Sequence, residues 1–212
     1  MKRNLTFEEI SDGKRYKAEN PAPIGTGNCE GCSECCRVTD DTIFLDPFDI
    51  YSLEIATGKS FEEMLETIIT LKVSEGLIVP VLLKNSKGSC VFLNPEGRCN
   101  IHGNRPGFCR MFPLGRIWNE NNTFDYFVQV HECPREPKTD VVIKDWLGID
   151  DIKAYEGFIR AWHDMAGSVK AISSSGSETA LKSANMKLLN EFFIKPYDTS
   201  KDFYSQFYSR GI

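Results

Sequence analysis

Cys29, Cys32 and Cys35 stand in the run CEGCSECC as C-x2-C-x2-C, and Cys36 follows without a gap. Thiolates are soft ligands, and three of them at this spacing curve a loop around a metal ion or an iron–sulfur cube. Gly31 lies inside the run, where the lack of a Cβ lets the backbone turn its N–H groups toward the sulfurs. The spacing matches the three-ligand run of bacterial ferredoxin loops, whose fourth cysteine is followed by proline. In this chain the cysteine with that neighbour is Cys133, in Glu132-Cys133-Pro134. Adjacent side chains diverge, so Cys36 either serves a second site or alternates with Cys35. Cys90, Cys99 and Cys109 complete a set of eight. Eight thiols fit two four-cysteine sites, one site with spare cysteines, or a site completed by histidine. Cys99-x2-His102 has a ligand-pair spacing and His131 lies two residues before Cys133. Each histidine is read first as a hydrogen-bonding neighbour of a metal site and second as a ligand. His163 falls in a helical pattern and reads as surface or core. The competing reading of the crowded cysteines, as buried thiols or disulfides, fits their spacing less well.

Arginines form a second signal. Arg37, Arg98, Arg105, Arg110 and Arg116 all lie close in sequence to cysteines. Guanidinium groups offset the negative charge of a thiolate site, and they also grip an anionic ligand such as a carboxylate. Arg37, Arg105 and Arg110 are the candidates for cofactor binding, against a plainer reading as surface ion pairs. No GxGxxG or P-loop is present, so no nucleotide site is read and no residue is assigned a catalytic role.

Composition bounds these readings. The chain has 212 residues, 41% hydrophobic and 26% charged, the profile of a globular protein able to bury its own core. The apolar stretch Gly76 to Leu83 is far shorter than the ~20 residues of a membrane-spanning helix. A net charge of −5, from 25 basic and 30 acidic residues, argues against a nucleic-acid binder. The segment MKRNLTFEEISDGK has no apolar core and is not a secretory signal. The expected compartment is therefore the reducing cytoplasm, where clustered cysteines serve as metal ligands more often than as cross-links.

The elements that must position these residues read as follows. Residues 1–28 form a lead-in whose PAPIGTGN end is loop. Thr42 to Leu45 is a short strand. Asp46-Pro47 starts a helix carrying Phe48, Tyr51, Leu53 and Ile55. Ser60-Phe61-Glu62-Glu63 has the capping-box spacing and opens a helix through Ile68. Leu77 to Leu83 is a strand, placed at an edge or bulge by Pro80. Cys90 to Leu93 is its returning strand after the turn Asn85 to Gly88, and Asn94 to Gly97 is a further turn. Arg105 to Phe112 is a short helix ended by Pro113, followed by a hairpin around residues 119–122. Helices are expected over Asp151 to Ile172, Thr179 to Ile194 and Tyr197 to Tyr208, with Ser173 to Ser177 as linker. The fold class is α+β: a small mixed cysteine-rich metal-binding core over 29–140, and a helical C-terminal part over 141–212 packed on it.

CEGCSECC, Cys90 to Leu93, CNIHGNRPGFCRMFPLG (Cys99 to Gly115) and Asp46-Pro47-x-Asp49 together resemble the CxxCxxCC cysteine-cluster family. The combination, over roughly 29–134, is far more specific than a lone CxxC. The resemblance implies a zinc- or iron-chelating domain with eight ligand cysteines: Cys29, Cys32, Cys35, Cys36, Cys90, Cys99, Cys109 and Cys133. The family includes flagellin lysine N-methylases, so a metal-cluster-dependent enzyme is one alternative function and a structural zinc interaction module is another. The ferredoxin-like triple and the Cys-Pro favour an iron–sulfur cluster over zinc. The expected partner is the metal ion or cluster, without nucleic acid or membrane; a protein partner or substrate stays unidentified.

Overall fold

A computed structural model describes residues 6–27, 32–38, 43–174 and 176–211. The elements in chain order are α1 (Phe7–Ile10), β1 (Pro21–Gly25), α2 (Glu34–Val38), α3 (Pro47–Thr57), α4 (Phe61–Leu65), β2 (Ile69–Ser74), β3 (Leu77–Leu82), α5 (Gly107–Met111), β4 (Leu114–Trp118), β5 (Phe124–Val128), β6 (Thr139–Val142), α6 (Ile143–Leu147), α7 (Ile152–Ser174), α8 (Glu178–Leu189) and α9 (Phe203–Ser209). The architecture is α+β, with antiparallel pairs β1–β6, β2–β3 and β4–β5 among the helices. Among the described residues, no helix is long and apolar enough to cross a membrane.

Local chemistry explains most of these elements. Asp46 caps α3 by accepting the Asp49 N–H at 2.9 Å, Asp49 returns the bond to the Asp46 N–H, and Pro47 fills the first helical position. Ser60 and Glu63 form the expected capping box on α4. The helix stops at Leu65, and the chain reverses into β2, a strand that the sequence reading lacks. β2 and β3 join through the two-residue turn Glu75-Gly76, both at positive φ (51° and 82°), the geometry that suits a twisted hairpin. Cys90 to Leu93 departs from expectation. It is a turn flanked by single bridges, Lys84 to Cys90 and Leu93 to Cys99, and not a strand. Pro21–Gly25 departs as well: it is a strand, bulged between Pro23 and Gly25. The Thr42 to Leu45 strand shrinks, over its described residues, to one bridge from Phe44 to Val81.

The core is continuous from the hairpins to the C-terminal helices. Phe158 of α7 packs edge-on against Phe203 and Phe207 of α9, and Phe48 of α3 meets Tyr155, Phe158 and Phe203. Asn185 of α8 is buried and clamps the hairpin: its Oδ1 accepts the Ile78 N–H at 2.7 Å, and its Nδ2 donates to the Gly76 carbonyl at 2.8 Å. Helices α7 and α8 thus pack against β3. β1 and β6 pair across the chain, Pro21 opposite Val142 and Gly25 opposite Thr139.

Candidate metal centre

Short irregular segments deliver the thiols. Cys35 and Cys36 lie on α2, one turn and a half long, and the Cys36 carbonyl accepts the Cys90 N–H at 2.9 Å. This bond stitches the first cysteine run to the turn after β3. Cys90 sits where Asn85 closes the preceding turn, and its sulfur faces the N–H groups of Phe92 and Leu93. Cys99 follows the Asn94 to Gly97 turn and its sulfur faces the Ile101 N–H. Such N–H donors stabilise a thiolate and are typical of the surroundings of metal-bound sulfur. Cys109 rides on α5.

The position of α5 comes from α3. The buried Asp49 carboxylate accepts the Gly107 N–H at 2.6 Å. Gly107 allows this approach because any Cβ there would lie 2.8 Å from the Tyr155 hydroxyl and 3.5 Å from Asp49 Oδ1. Burial pushes the Asp49 carboxyl well up, and the neighbouring Asp46 charge adds to it. The sequence reading used Asp49 only as part of a helix start. Its i,i+3 pairing with Asp46 signalled a cap, and nothing local signalled the reach to Gly107.

These segments surround one cavity of about 790 Å³. Cys32, Cys35, Cys36, Cys90, Cys99 and Cys109 line it, together with His102, Arg98, Arg105 and Arg110. The seven described cysteines are all thiols. Cys35 and Cys36 hydrogen-bond to each other, and the sulfurs of Cys35, Cys90, Cys99 and Cys109 stand close enough for their charges to interact. The hydrogen bond from Cys36, with help from the Arg105 charge, brings the Cys35 thiol down to about 7 despite its burial. Cys36, as the donor, moves up. Burial pushes Cys90, Cys99 and Cys109 up, and nearby thiolate charge adds to it. Within this hydrogen-bonded pair the Cys35 sulfur is the acceptor, and the Arg105 charge favours its thiolate form. Among the described residues, no three His, Cys, Asp or Glu side chains stand close enough to hold one ion. Partly buried thiols with N–H donors on their sulfurs nonetheless suit a thiophilic metal group in chemical type.

The other candidates distribute as follows. Cys29 lies outside the described residues. Cys133 is half-buried and His131 exposed, and neither lines the cavity. His102 lines it, but Arg105 Nη1 stands 2.9 Å from its Nε2 and 3.1 Å from its Nδ1. Burial and the Arg105 charge both lower its affinity for a proton. Arg105 also donates to the carbonyls of His102 and Trp146, at 3.3 and 3.4 Å. Arg110 is buried and donates to the Leu147, Gly148 and Gly103 carbonyls, joining α5 to the end of α6. Arg37 is exposed, donates to Ser33 Oγ at 2.8 Å, and is not part of the cavity wall. His163 stacks on Trp118 with ring centroids 3.6 Å apart, away from the thiols. Arg116, near the cysteines in sequence, turns instead toward Tyr155, donating to its hydroxyl at 2.9 Å.

A family model matches residues 28–134, the stretch that holds all eight cysteines. The chain belongs to the CxxCxxCC family. That family is described as a "putative zinc- or iron-chelating domain". No curated protein and no solved structure matches the chain. The CxxCxxCC region does not build the cavity alone, because Thr139, Val141, Asp145 and Trp146, beyond residue 134, also line it.

Proposed function

We propose that the cavity thiols bind an iron–sulfur cluster and that this chain is a metal-thiolate protein. The observation that carries the reading is the convergence of six thiols, from segments far apart in sequence, on a single cavity. The ferredoxin-like C-x2-C-x2-C spacing of Cys29, Cys32 and Cys35 favours a cluster over a single ion. When bound, a cluster supplies an electron-transfer or Lewis-acid centre. The residues of this chain would do the rest. Cys36 supports a Cys35 thiolate with a hydrogen bond. The Phe92, Leu93 and Ile101 N–H groups point at sulfur, and Arg105 offsets the negative charge. A reducing compartment such as the cytoplasm suits the seven described thiols.

Zinc is the rival occupant, since the family's description names zinc and iron alike. Anaerobic purification with metal and sulfide analysis separates the two. We expect a brown protein with iron and acid-labile sulfide in stoichiometric amounts. Stoichiometric zinc in a colourless protein would overturn the cluster and keep the metal site, and neither metal would overturn both.

A further inference from the structure

The thiols occupy only part of their cavity. At about 790 Å³ it falls in the ~300–1,000 Å³ range of small-molecule sites, and much of its wall carries no thiol. Part of the lining is aromatic, from Phe92, Phe108 and Trp146. Trp146 belongs to α6, outside the matched family region, and its Nε1–H donates to the Phe112 carbonyl at 3.1 Å. That bond satisfies the only polar atom of the ring and fixes its plane, which leaves an apolar face for a ligand. Arg105, linked to the Trp146 carbonyl, adds a fixed positive charge. Its guanidinium is held by carbonyls and by His102, and among the described residues no carboxylate pairs with it. An apolar slot walled by a guanidinium that no described carboxylate engages is complementary to an aromatic or apolar anion, and a carboxylate matches the fork of arginine.

On the reading that the thiols hold a metal, we propose that the cavity also takes a small organic carboxylate with an aromatic or apolar body, its carboxylate at Arg105 and its body against Trp146. Trp146 lies outside the matched family region, so the body of this ligand would rest on a residue that the family model does not cover.

The test uses the full chain, both metal-loaded and chelator-stripped, titrated calorimetrically with phenylacetate and with the neutral phenylacetamide. Phenylacetate should bind saturably and about tenfold more tightly than the amide, the worth of a charge-assisted hydrogen bond. Arg105→Gln should level the two probes, and Trp146→Ala should weaken both. Equal affinity for the two probes, no binding of phenylacetate to either form, or a preference that survives Arg105→Gln would overturn the proposal. Metal content measured on the same samples keeps the two readings apart. A metal-free wild type would refute the metal, while the carboxylate preference of that protein stands or falls by itself.

Discussion

Asp49 and Gly107 are joined by a buried 2.6 Å hydrogen bond that ties the start of α3 to the first residue of α5. Cys109 lies two residues further along α5, so a carboxylate that touches no thiol sets the position of one. Asp49→Ala removes both this bond and the cap returned to Asp46, and should cost about 2–4 kcal/mol. Asp49→Asn keeps one acceptor and should cost less. In both, metal affinity should fall in the same order, by about 10–100-fold for the alanine variant. Denaturant unfolding and competitive metal titration would check the order. An alanine variant that unfolds like wild type would break the link.

Cys109 and Cys133 should behave differently. Cys109 lines the cavity and Cys133 does not, although sequence treats both as ligands. Cys109→Ser should lower bound metal sharply, and Cys133→Ser should leave it near wild type. Metal analysis of both variants after parallel anaerobic purification decides. Equal loss would place Cys133 in the site.

Much of the fold can be read from local chemistry. The Asp46 and Ser60 caps, the Leu77 strand and the hairpin after Pro113 each depend on residues within a few positions of one another. What escapes the sequence is long-range. Pro21–Gly25 has the prolines and glycines of a loop and becomes a strand because β6 is there to pair with it. Cys90 to Leu93 has strand-like residues, but Leu93 turns back to hydrogen-bond the Cys90 carbonyl and directs N–H groups at sulfur. That the cysteines belong to a metal-chelating family was legible as a pattern, but which of them share the cavity was not, since Cys133 does not line it. That Arg110 spends its guanidinium on the α6 carbonyls was not, because no spacing rule records that contact.

Asn185 should matter more than a helix-surface amide. It supplies the partners of the Ile78 N–H and the Gly76 carbonyl. Asn185→Ala leaves both without that partner and should destabilise the protein by about 2–3 kcal/mol, while the thiol cavity, remote from α8, keeps its metal. Thermal unfolding paired with metal analysis tests this, and a loss below about 0.5 kcal/mol would contradict it.

Glu54 predicts a pH dependence. It is buried, one carboxylate oxygen has no hydrogen-bond partner, and burial raises its pKa to about 7 against the weaker opposing pull of Arg210. The folded state therefore prefers the protonated acid. The associated stability is complete below the ordinary value of 4.5 and is lost as pH rises through about 7. Glu54→Gln should flatten this slope and be more stable than wild type at pH 8, by about 1–3 kcal/mol. Urea midpoints between pH 4 and 8 would show it. Parallel curves for the two proteins would exclude it.

The β1–β6 pair has a kinetic consequence. All eight cysteines lie between Gly25 and Thr139, the last paired residues of those strands. Hairpins β2–β3 and β4–β5 close through short turns and can form early, whereas β1 must find β6 across the whole cysteine-bearing stretch. The zipper that draws the far wall against the thiols is thus the slowest contact to make. During synthesis the cysteines leave the ribosome before their final strand exists. Pulse-labelled exchange should find β2 and β3 protected before β1 and β6, leaving a window in which the nascent chain meets oxidants and metal donors with its thiols still uncovered.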